Sequence, residues 1–230
     1  MVRRVIEDGG GVDHTDRSPW PQRTTLTAGA LLLLAGLVGL LNAAQVSLPI
    51  TDSFAIPLNG LAFSVAAGAL RAAGFVCAAL GVRGEVGLAG RRTLGSVALV
   101  VWGLRDLGFD VLALLDPSVQ PASIVVASIW HLTSTAAGLI AAFAVAHARV
   151  VVGWARWTLL PLAVFELLLT MFVNVPVFGT DFGLLVVLLL GQLPIRFAEP
   201  ALLLLIATAL LTWSRLEAVK HRARIAYNAW

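Results

Sequence analysis

The chain is poor in the residues on which much of enzyme chemistry depends. It holds one cysteine among 230 residues, Cys77. An intramolecular disulfide, a CxxC redox pair and a cysteine-built metal cluster are therefore excluded. It holds one lysine, Lys220, near the C-terminus, so no retinal Schiff base can form inside a helical bundle. No GxSxG elbow, HExxH pair or GxxxxGK[ST] loop occurs, which removes the usual signatures of serine hydrolysis, zinc proteolysis and P-loop nucleotide binding. Charge is scarce as well. Only 13% of residues are Asp, Glu, Lys or Arg, while 59% are hydrophobic. Soluble domains run at about 25% charged and about 45–50% apolar. A soluble enzyme is excluded by composition, and nothing points to nucleic acid.

What is present is apolar sequence in blocks. Six stretches run at about 25–44, 58–82, 93–115, 123–146, 154–175 and 184–213, each long enough to cross ~30 Å of hydrocarbon as a helix of ~20 residues. The expected fold is an all-α integral membrane protein, a six-span helical bundle. Residues 1–24 form a polar tail with the Gly9-Gly10-Gly11 run, 25–213 the transmembrane domain, and 214–230 a C-terminal segment. The tail is too long and too acidic for a signal peptide. Thirteen of the sixteen Lys and Arg lie in the tail, the second and fourth connections and the C-terminus; the connections around Asp52, Asp116 and Asp181 have none. The positive-inside rule then puts both termini in the cytoplasm of a plasma-membrane protein. Fifteen Arg to one Lys, with abundant Ala, Gly, Leu and Val, suggests a bacterial source of high genomic GC. Leu216, Val219, Ala223, Tyr227 and Trp230 recur at helical spacing opposite Arg215, Arg222 and Arg224. This segment reads as an amphipathic helix drawn to anionic lipid at the cytoplasmic face or, equally, as a frayed tail.

Seven ionisable side chains fall inside the spans: Arg71, Arg105, Asp106, Asp110, Glu166, Arg196 and Glu199. At about 2.5–3.5 kcal/mol for each charge at a helix centre, exposing all seven to lipid would cost on the order of 20 kcal/mol. They are expected to face one another or a wet interior. Spacing supports one polar interior, with Gly103, Asp106 and Asp110 on one stripe, Gln192, Arg196 and Glu199 on another, His131 and Thr135 on a third, and Glu166 and Thr170 on a fourth. The candidate solute or ion pathway is thus Arg71, Arg105, Asp106, Asp110, His131, Glu166, Gln192, Arg196 and Glu199. The first span has no mid-depth charge and is expected to be peripheral.

Four acids face three arginines, so one acid is left over. Glu166 is the expected surplus, because Asp106 adjoins Arg105 and Glu199 lies one turn from Arg196. Pro194 and Pro200 should distort the sixth span near that pair. His131 is the only histidine within a span. Bis-histidine haem ligation is therefore not expected, nor is any metal or other cofactor. The glycines at 81, 84, 87 and 90, with Arg83, Arg91 and Arg92, read as a flexible loop rather than a phosphate cradle. The functional expectation is a small transporter or channel-like protein for a small polar or ionic solute, with proton coupling one form of it. The alternatives are a non-catalytic accessory subunit or assembly factor, with a membrane protein partner or a second copy of itself, and an intramembrane lipid-modifying enzyme using Asp106 and Asp110.

Overall fold

The long apolar runs, almost free of proline, form helices in the computed structural model, which describes residues 22–47, 60–90, 93–108, 123–151, 153–174 and 194–228. Among the described residues the main α-helices are α1 (Gln22–Ser47), α2 (Gly60–Leu80), α3 (Thr93–Gly103), α4 (Ser123–Ala148), α5 (Leu159–Asn174) and α6 (Pro194–Asn228). A 3-10 turn at Gly153–Trp157 precedes α5. Among the described residues there is no strand. Among the described residues, five helices are long and apolar enough to cross a membrane; α3 is apolar but shorter. The chain is a multi-pass membrane protein by these features. Only 39–44% of each candidate span is buried. Its outward face carries Leu34, Leu41, Ile129, Leu168 and Met171, the exterior a bilayer solvates.

The helices follow one another around a ring, and α6 closes it against α1. Contacts between neighbours run in opposite senses along the two chains. Gly29 meets Leu211 while Gly36 meets Leu204, and Gly95 meets Ala144 while Gly138 meets Trp102. The packing uses small residues. Ala28, Ala35, Ala72, Ala141, Ala163, Ala207 and Ala209 are all buried, since lipid supplies no hydrophobic drive between helices and close backbone approach must supply dispersion. At Gly36 a Cβ would lie 2.8 Å from Leu204 and 3.0 Å from the carbonyl of Pro200. The position has no room for a side chain.

Several expectations change here. The first helix is not peripheral: it packs between α2 and α6 more extensively than any other helix packs. Its lack of charge reflects that role, because small apolar residues let two neighbours approach. The third helix is interrupted by a turn at Leu104, with helical residues resuming over 105–108. The segment around the second connection is not a loose loop. Glu85 accepts hydrogen bonds from the amides of Arg23 (3.1 Å) and Thr24 (2.7 Å) and from the Thr24 hydroxyl (2.9 Å), satisfying donors that a helix start otherwise leaves open. Thr24 Oγ1 in turn accepts from the Val82 amide at 2.9 Å. Gly81, at φ 78°, makes the reversal that brings Glu85 back. The last helix runs through Trp213 to Asn228 without a break, so the C-terminal segment continues that helix instead of forming a separate one. Residues 184–193, where that span was expected to begin, lie outside the described residues, as do 1–21. Pro194 opens the described part of α6 and only Pro200 lies inside it.

Candidate functional site

Arg71 lies eleven residues beyond Gly60, about 16 Å along α2 at about 1.5 Å per residue. Its side chain is 2% exposed, which a guanidinium tolerates only when anions surround it. Three do. Arg71 Nη2 donates to Glu166 Oε1 at 2.6 Å, and Nη1 donates to Asp106 Oδ2 at 2.6 Å and also to Glu199 Oε1. Each carboxylate comes from a different part of the chain: Asp106 from residues 105–108, Glu166 from α5 and Glu199 from α6. One side chain therefore ties four segments together.

A second cation completes the cluster. Arg105 Nη1 is 2.6 Å from Glu166 Oε2, and its Nε is 3.4 Å from Asp106 Oδ1. Adjacent residues on a regular helix point about 100° apart. The turn at Leu104 precedes them, and both Arg105 and Asp106 reach the same cluster. The backbone there is further held by Trp130, whose Nε1 donates to the Arg105 carbonyl at 2.8 Å. Glu166 is closed off from above by Trp102, which is fully buried and donates from Nε1 to Glu166 Oε2 at 2.5 Å. Phe75 stacks on Trp102 with ring centroids 4.8 Å apart, and the Arg71 guanidinium carbon lies 5.8 Å from the Phe75 ring centre. Nearby, the hydroxyls of Thr135 and Thr170 are 3.0 Å apart, joining α4 to α5.

The cluster has a dry half and a wet half. Glu166 is 1% exposed, whereas the side chains of Asp106 and Glu199 are 33% and 30% exposed. The last two, with Arg71, border a cavity of about 470 Å³ that also touches Asn42 and Ser64. Asn42 lies five residues before the end of α1 and Ser64 four after the start of α2, so the cavity extends from the cluster toward the end of the bundle where α1 and α2 connect. The Oδ1 atom of Asn42 is buried without a hydrogen-bond partner.

This arrangement corrects one expectation. Glu166 is not the acid left without a cation; it is the one held by both guanidinium groups. Its own span offered no cation, but the fold supplies two from α2 and the segment after α3, and tertiary pairing is invisible to spacing within a helix. Glu199 pairs with Arg71; the side chain of Arg196, its expected neighbour one turn away, lies outside the described residues. Of the remaining candidates, His131 is half-buried on α4 within electrostatic range of Arg105, Asp106 and Glu166. Asp110, Gln192 and the Arg196 side chain lie outside the described residues. Sequence reading missed Trp102, Phe75 and Asn42. Trp102 stands one helical turn before Asp106, and Asn42 is a polar residue in an otherwise apolar span; both signals were legible. Among the described residues no group of three His, Cys, Asp or Glu side chains is placed to hold a metal. No protein-family model, characterised protein or solved structure matches the chain.

Proposed function

We propose that the chain is a small six-span carrier or channel-like protein of the plasma membrane, and that the cavity ending on Arg71, Asp106 and Glu199 is its station for a small ionic solute. The observation that carries the reading is that cavity. A protein using its intramembrane charges only to lock helices together would bury and pair all of them, as this one does with Glu166. Here two carboxylates instead remain accessible from a space of about 470 Å³, at a depth where exposed charge is otherwise expensive.

Six spans with both termini cytoplasmic are supported by the alternation of the helix contacts. The antiparallel packing of α6 against α1 fits an even number of crossings, and on the six-span reading α3 with the apolar sequence after it is one of them. Arg23, Arg83, Arg149, Arg156 and Arg215 then share one end, as the positive-inside rule asks of the cytoplasmic side. The cavity accordingly faces the opposite, outer side. Cysteines introduced near Asp52, Asp116 or Asp181 in a Cys77→Ser background should react with a membrane-impermeant thiol reagent in intact cells, and one at Gly84 should not. Labelling at Gly84 would reverse the orientation.

Function is tested by flux. In liposomes with an internal pH dye, the wild-type protein should dissipate an imposed pH gradient when its solute is supplied. Glu199→Gln, which keeps the shape of the side chain and removes one cavity charge, should lower that flux about tenfold or more, with the unfolding midpoint followed in parallel. Absence of flux from the wild type with every small ion and polar solute tried would instead favour the accessory-subunit reading, for which the closed Glu166 half of the cluster speaks.

A further inference from the structure

We infer that the solute taken by this cavity is a small organic cation, with an ammonium or guanidinium head on an apolar body. The inference rests on the carrier reading above and names the class of its solute. Charge is the first reason. Among the described residues, with every group ionised, the cluster has two cations, Arg71 and Arg105, against three anions, Asp106, Glu166 and Glu199. Glu166 receives one nitrogen from each guanidinium group, whereas Asp106 and Glu199 share Arg71 Nη1. The uncompensated negative charge therefore lies on Asp106 and Glu199, the two acids that border the cavity.

Hydrogen-bond polarity is the second. Asn42 Oδ1 lacks a donor but is sealed from the cavity; the acceptors open to it are the two carboxylates, which share a single nitrogen of Arg71. A ligand that satisfies these groups must bring N–H or O–H donors in excess, as an ammonium or guanidinium does. Arg71 Nε also lacks a partner. An anion recruited by it would stand beside Asp106 and Glu199 and take the cluster from one excess negative charge to two, where low dielectric magnifies the repulsion.

Size and lining are the third. A volume of about 470 Å³ dwarfs the ~30 Å³ share of one water molecule and lies within the ~300–1,000 Å³ of small-molecule sites. It is far too large for a proton or a bare metal ion alone. Beyond the charged floor the wall is mostly apolar, with Ala35, Ala43, Ala67, Pro200 and Leu203, and its polar members are Asn42 and Ser64. Most of that wall fits an apolar body.

The experiment is a head-group series on one ring, read by thermal unfolding of the purified protein in detergent: benzylammonium, benzyl alcohol and benzoate. Benzylammonium should raise the midpoint saturably, and the neutral and anionic compounds should not. Ala43→Leu fills the apolar wall without touching a charge and should weaken benzylammonium about tenfold or more. Glu199→Gln should weaken it by a similar factor through loss of the charge partner; should that variant fail to fold, the head-group series and Ala43→Leu still decide. Equal stabilisation by benzyl alcohol or benzoate, no effect of benzylammonium at millimolar concentration, or unchanged affinity in Ala43→Leu would each overturn the inference. Cation binding without any liposome flux would remove the carrier reading and leave the site standing, whereas flux without cation binding would do the reverse.

Discussion

Replacing Arg71 by leucine is expected to lower the stability of the bundle by about 3–5 kcal/mol, since removing one partner of a buried ion pair leaves the other charge uncompensated in low dielectric. The case is more severe than a simple pair because Arg71 serves three carboxylates at once. Without it Arg105 faces Asp106, Glu166 and Glu199 alone, and three segments lose their shared anchor. Against a typical stability of about 5–15 kcal/mol, much of the protein should unfold on extraction. Arg71→Lys keeps the charge but not the planar fork that reaches three acceptors, so an intermediate loss is expected. Adding Glu199→Gln to Arg71→Leu should recover part of the loss, because it removes one of the stranded charges and leaves Glu166 to Arg105. The check is the midpoint of unfolding in a denaturing-detergent titration for the two single variants and the double. A midpoint in Arg71→Leu equal to wild type would mean that the guanidinium is hydrated, contrary to its 2% exposure.

Trp102→Ala should be nearly as damaging, at about 3–5 kcal/mol for deletion of a large buried aromatic side chain. Trp102 is fully buried, and its indole fills the space opposite Gly138, where a Cβ would already come within 2.8 Å of the ring. Neither that backbone nor Phe75 can move in to fill the void without disturbing the cluster. The indole also carries the hydrogen bond to Glu166 at 2.5 Å, so the variant opens the dry half of the site to water. Trp102→Phe separates the two contributions. It retains most of the packing and loses only the donor, which should cost about 1–3 kcal/mol. Unfolding midpoints of the two variants measure the split. Equal losses would assign the effect to the hydrogen bond, and no loss in either would place the indole outside the core.

The charged cluster was legible in part because intramembrane charge is expensive in any setting. Arg71, Arg105, Asp106, Glu166 and Glu199 could be singled out before any contact was known, since each had to find a partner or water. Their partners could not. Periodicity relates residues within a helix, and it set Arg196 beside Glu199 and left Glu166 alone. The actual bonds run between segments 35, 95 and 128 residues apart. The loop glycines illustrate the same limit. Four glycines and three arginines read as slack, whereas the reversal at Gly81 aims Glu85 at the start of α1, a partner more than sixty residues away. Trp102 and Asn42 left positional signals in the sequence, but what a tryptophan or an asparagine in an apolar run does is decided by what stands opposite.

Sequence by itself determined that this is an all-helical, multi-pass membrane protein with costly charges at mid-depth, because hydrophobic length and the price of unpaired charge depend on composition along one segment at a time. Tertiary structure alone decided which charges pair, that the uncharged first helix packs most extensively within the ring, and that two of three acids look into a cavity while the third is sealed beneath Trp102. Those facts are set by how helices distant in the chain approach one another, and the strength of a charge in low dielectric depends on whatever lies within a few ångströms of it.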